Sequence, residues 1–82
     1  MDTREAVRGY IVENFLFGDA EPLTGDDISL LDAGIMDSVG VMELVAFLEQ
    51  DFGLSIEDDE LIPENLDSVS NLVKFISAKQ AA

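Results

Sequence analysis

The stretch Gly34-Ile35-Met36-Asp37-Ser38-Val39-Gly40-Val41-Met42-Glu43-Leu44 is where a long irregular segment gives way to a helical pattern. From there Val41, Leu44, Val45, Leu48 and Phe52 recur at the spacing of one apolar helix face. This predicts a helix from Ser38 to Asp51 or Phe52, stopped near Gly53. Ser38 stands at its start, where a serine hydroxyl can cap the helix by accepting a hydrogen bond from an orphan backbone N–H. The same hydroxyl lies beside the Asp37 carboxylate, with no histidine or lysine near it in sequence. It can therefore instead be presented to another enzyme for modification.

A second, narrower apolar strip begins at the serine. Val39, Met42 and Ala46 share it, with Glu43 and Glu49 alongside. Apolar residues outside a core stripe suggest a contact surface. The bland alternative is that a thin core uses both helix faces, a choice evenly balanced for Met42 and tilted toward exposure for Val39.

Upstream, Ala6, Val7, Tyr10, Ile11 and Phe15 predict a first helix from about Thr3 to Phe17, ended by Gly18. Residues 18–37 read as a long first loop, a length uncommon in compact domains unless functional. Leu23, Ile28, Leu30, Leu31 and Ile35 predict that it is pinned to the core, with a short helical turn near Asp26–Leu31. Downstream, residues 54–66 are irregular, with Ile56, Leu61, Ile62 and Leu66 as anchors and Pro63 placed to open a short helix. A last helix from about Ser68 to Lys79 carries Val69, Leu72, Val73 and Ile76, with Asp67 or Ser68 as its cap. The reading is all-α: a small bundle of three main helices plus a short one, one domain over 1–82.

The composition is that of a folded chain, 48% hydrophobic with a mean hydropathy of +0.20. No signal-peptide core or membrane span is apparent, so a cytoplasmic monomer is expected. The net charge is −14, and the only bases are Arg4, Arg8, Lys74 and Lys79, near the two ends. Such a field repels nucleic acid and anionic membranes and steers basic protein surfaces toward the chain. Solubility accounts for acids in general, but not for bases confined to the ends.

The absence of histidine and cysteine removes the common nucleophile, base and zinc constellations. A self-activated serine hydrolase is excluded on the same ground. Asp26-Asp27 and Glu57-Asp58-Asp59-Glu60 could gather cations weakly, but neither supplies the ligand spacing of an EF-hand. No catalytic residue and no metal site is assigned.

Asp37-Ser38 with a following hydrophobic residue, then Glu43-Leu44, resembles the prosthetic-group attachment motif of acyl carrier and peptidyl carrier proteins. Leu31-Asp32-x-Gly34, Phe52-Gly53 and Asp67-Ser68-Val69 extend the resemblance over nearly the whole chain. It implies that a phosphopantetheinyl transferase uses coenzyme A and magnesium to place 4′-phosphopantetheine on Ser38. The arm's own thiol would then carry acyl or aminoacyl groups as thioesters, so the missing cysteine is no obstacle. Asp37 would help hold the transferase's metal or meet its basic residues. Val39, Gly40, Met42, Glu43, Ala46 and Glu49 would form the partner face. Its visitors would be that transferase, a loading ligase or acyltransferase, and downstream enzymes with basic surfaces.

Two departures stand out. Fatty-acid carriers usually follow the serine–hydrophobic pair with an acid, whereas Gly40 follows Val39 here. The segment then looks closer to stand-alone or aminoacyl-type carriers, with one charge fewer on the recognition face and room at Gly40 for close approach by the arm or a partner. Leu61-Ile62-Pro63-Glu64-Asn65-Leu66 also differs from the usual third helix. Two alternatives stand beside the carrier: an unmodified acidic adaptor docking a basic partner through Val39 and Met42, and, more weakly supported, a calcium-binding regulator.

Overall fold

A computed structural model describes residues 2–81. Helix α1 spans Thr3–Phe15, α2 Ser38–Phe52, α3 Pro63–Leu66 and α4 Val69–Ala81, with a 3₁₀ turn at Asp58–Glu60. This is the small helical bundle that the periodicities predict. Helix α4 packs against both α1 and α3. Val7 and Ile11 of α1, Leu44 and Leu48 of α2, and Val69, Leu72 and Ile76 of α4 are fully enclosed. Met36, Phe47 and Phe75 also join or border the core, outside the predicted stripes.

Helices α1 and α2 meet through aromatic rings. Tyr10 stacks on Phe47 at 4.1 Å, and the edges of Phe15 and Phe52 close the array at 5.8 and 5.7 Å. Burial raises the Tyr10 phenol above its ordinary pKa, with the charges of Glu43 and Asp51 adding to the shift. Because Phe15 lies at the start of α2 and Tyr10 further along it, the two helices run in opposite directions.

Helix α1 ends earlier than predicted. Leu16 is its C-cap, and the Gly18 N–H reaches back to the Val12 carbonyl at 2.9 Å through a left-handed Phe17. Helix α2 ends as predicted, on a left-handed Gly53. The predicted helical turn at Asp26–Leu31 lies later in the chain. One α-type turn is closed by the Ala33 N–H and the Ser29 carbonyl at 2.9 Å, and Gly34 leaves it at φ +73°. That left-handed position explains the glycine of Leu31-Asp32-x-Gly34.

The first loop is pinned as expected by Leu23, Leu30 and Ile35, but not by Leu31, which is 39% exposed. Polar ties do as much. Arg4 and Arg8 both grip the Asp26 carboxylate, and Arg8 also donates to the Leu23 carbonyl. Asp67 accepts from the Ser29 hydroxyl and from the Leu31 N–H at 2.8 Å, while the Leu30 N–H donates to the Asp67 carbonyl at 2.7 Å. Ser70 adds a hydroxyl bond to Asp27 at 2.5 Å and a backbone bond to the Asp26 carbonyl at 2.9 Å. A loop held from α1 on one side and from the start of α4 on the other delivers Asp37 and Ser38 to a fixed place.

Candidate functional site around Ser38

Asp37, not Ser38, is the N-cap of α2. Its backbone is extended, its Oδ1 accepts from the Gly40 N–H at 2.8 Å, and its carbonyl accepts from the Val41 N–H at 2.9 Å. This corrects the expectation that the serine caps the helix. Ser38 is instead the first helical residue, exposed, and its hydroxyl has no partner within the protein's described hydrogen bonds. The division of labour has a physical cause. A carboxylate accepts more strongly than a hydroxyl and complements the positive end of the helix dipole. Asp37 therefore takes the cap, and the adjacent hydroxyl stays accessible.

The first turn of α2 offers a favourable setting for an anionic group on that oxygen. The N–H groups at a helix start lack intrahelical partners, and the dipole of a 15-residue helix favours negative charge there. A phosphodiester fits this position, since the exposed serine oxygen can bear it without disturbing the core. The neighbouring Asp37 carboxylate, held by the Gly40 N–H, would repel that charge.

The predicted partner strip divides in two. Val39 is 67% and Met42 60% exposed, and Glu43, Ala46 and Glu49 are also exposed. Gly40 is not part of it. It is buried, and a Cβ there would stand 2.9 Å from Phe15 Cε1 and 3.1 Å from Met36 Cγ. The close approach that calls for glycine is made by the end of α1, not by an arm or a visiting enzyme. The missing acid at this position therefore records packing inside the molecule. Glu49 has an internal bond as well, its Oε2 accepting from the Ile56 N–H at 3.3 Å.

Sequence reasoning missed an apolar cavity of about 80 Å³ beside the start of α2, lined by Leu31, Met36, Val41, Leu61, Ile62 and Leu66. The partial exposure of Leu31 and Ile62 was its only signal, and it cannot be read without coordinates. Among the described residues, no group of three or more carboxylates is arranged to hold a metal ion. No helix among them is long and apolar enough to cross a membrane.

The model of the phosphopantetheine attachment site family matches residues 6–76. A D-alanyl carrier protein of Streptococcus suis (strain 05ZYH33) is 30% identical over 76 residues, spanning 93% of this chain and 92% of the relative. The match takes in both ends of the loop, α2 and most of α4, so it covers the scaffold as well as the Asp-Ser pair. The role that follows is non-catalytic: the prosthetic group carried is 4′-phosphopantetheine, and the chemistry is done by other enzymes. A scaffold that caps α2 with one residue and leaves the next one free is thus that of a carrier, and the chain belongs to the phosphopantetheine attachment family.

Proposed function

We propose that this chain is a discrete, monomeric cytoplasmic carrier, a single domain over residues 1–82, whose Ser38 oxygen bears the 4′-phosphopantetheine arm. The observation that carries this reading is the free, exposed Ser38 hydroxyl at the start of α2, beside a residue that has taken over the capping. When bound, the arm supplies a thiol on which acyl or aminoacyl groups travel as thioesters. The chain's own residues supply the rest. The pinned loop fixes where the serine stands, the helix start offsets the phosphodiester's charge, and Val39, Met42 and Glu43 offer enzymes an apolar face with an acidic edge.

The cargo we assign is small, an aminoacyl or short acyl group. The cavity beside α2 is small, about 80 Å³. A long chain would have to part Leu61 and Ile62 from Met36 and Val41. The carrier resemblance of the relative, named for D-alanine, supports the same choice. The transferase, a loading ligase or acyltransferase, and downstream enzymes with basic surfaces are the partners.

The test is intact mass after incubating the apo chain with coenzyme A, magnesium and a broad-specificity phosphopantetheinyl transferase. A gain equal to one phosphopantetheine, absent from Ser38→Ala, is the expected result. No gain, or a gain that survives Ser38→Ala, contradicts the reading. Ser38→Asn separates the carrier from an unmodified adaptor: at an exposed first helical position it leaves the fold intact, yet it ends carriage.

A further inference from the structure

Among the described residues, Phe17 is the most exposed large apolar one, at 95%, and its backbone is left-handed at φ +53°. Bulky side chains are true outliers in that region, where glycine or asparagine sits without strain. The ring joins none of the described aromatic pairs and stands almost wholly in solvent. Phe15, two residues earlier, makes the contacts to Tyr10 and Gly40, and the turn into the loop is closed by backbone bonds of Leu16, Gly18 and Asp19. A residue that is strained and packs against nothing points to a role outside the molecule.

Its place supports one. The Phe15 ring lies against Gly40, so the end of α1 stands beside the beginning of α2, and two further residues reach at most about 7 Å. Phe17 thus stands near the end of the molecule where α2 begins and Ser38 is exposed. Asp19 and Glu21 of the loop that follows Phe17, and Asp37 and Glu43 at the start of α2, are all exposed. Among the described residues, no base lies within ion-pair distance of them; Arg4 and Arg8 are bound to Asp26, and Lys79 to Glu60. The net charge of −14 sets nucleic acid, anionic membrane and a second copy of the chain against this surface. The occupant that fits is a cationic protein with an apolar pocket.

The geometry points to Phe17 as the aromatic anchor by which the basic enzyme that modifies Ser38, the phosphopantetheinyl transferase, holds this chain; this rests on the carrier reading above. A single aromatic seated in a partner's pocket dominates many interfaces. The test is steady-state phosphopantetheine transfer to the apo chain by that transferase, comparing wild type, Phe17→Gly, Phe17→Asn and Phe17→Trp, with melting temperatures for each.

Phe17→Gly and Phe17→Asn raise KM about tenfold with kcat within about twofold, while Phe17→Trp stays near wild type. Phe17→Asn melts no lower than wild type, because asparagine accepts the left-handed backbone. A KM within twofold of wild type for both small variants, with Ser38 modified normally, overturns this inference and leaves the carrier reading standing. A melting temperature that falls in step with the rise in KM assigns the ring to the fold and also overturns it. Failure of the wild-type chain to be modified removes both.

Discussion

The tripeptide Asp-Ser-Val occurs twice, at 37–39 and at 67–69, each time at the start of a helix, and the two copies do opposite work. At α2, Asp37 caps and Ser38 is free. At α4, Ser68 caps through the Asn71 N–H at 3.0 Å and is buried, while the Asp67 carboxylate turns away to hold Ser29 and Leu31. Val39 is 67% exposed and Val69 fully enclosed. The same three residues therefore leave a free, exposed hydroxyl in one place and make a structural joint in the other. What differs is the neighbourhood. The first loop passes beside Asp67 and offers it donors, so the serine must cap; Asp37 meets only its own helix, so the serine is spare.

The largest expected effect breaks this symmetry outright. Ser38→Ala ends phosphopantetheine transfer, whereas Ser68→Ala leaves transfer intact and costs about 1–2 kcal/mol of stability, read by urea denaturation. Transfer that needs Ser68 would mean the two copies had been assigned the wrong way round.

Next comes the packing under the α2 copy. Gly40→Glu forces a chain between Phe15 and Met36 and buries a charge, destabilising by about 3 kcal/mol. Gly40→Ala gains helix propensity but crowds the same contact, for a net loss nearer 1 kcal/mol. If Gly40→Glu were neutral, the position would be a surface one after all. Removing the α4 joint with Asp67→Ala costs about 2 kcal/mol, since two bonds to a carboxylate are lost together.

Much of this was legible from the residues alone. The 3.6-residue periodicity located α2 and α4, because their apolar faces are long and ended by Gly53 or opened by Asp67-Ser68. The Asp37-Ser38 pair could be singled out, but not which member caps, since that depends on which donors the folded loop brings near each copy. Gly40 misled for a related reason: a glycine beside an apparent contact strip looks open, and only the approach of Phe15 from α1 shows it filled. The early end of α1 was equally hidden. A phenylalanine in a left-handed turn contradicts local preference, so sequence rules extend the helix through Phe17.

The ionic ties give a smaller, pH-dependent effect. Hydrogen bonding from Arg4 holds Asp26 below the usual carboxylate range, helped by Arg8; the Glu57 N–H and then Lys79 do the same for Glu60. Depressed carboxylate pKa values contribute stability above the unfolded value of about 4, which is lost as pH falls through the folded one. The melting temperature is therefore expected to fall as the pH drops below about 4. In Asp26→Asn the acid-side fall is shallower. An acid-side fall as steep in Asp26→Asn as in the unchanged chain would contradict the part given to Asp26. Added salt is expected to firm the fold while weakening the grip of basic enzymes.

The most direct measurement is peptide mapping by tandem mass spectrometry after transfer, because it asks which of the two Asp-Ser-Val copies carries the arm. Phosphopantetheine on the peptide containing Ser38, with the peptide containing Ser68 unmodified, is the predicted result. The group on Ser68, or on both serines, would contradict the claim that capping by Asp37 is what makes Ser38 the attachment point.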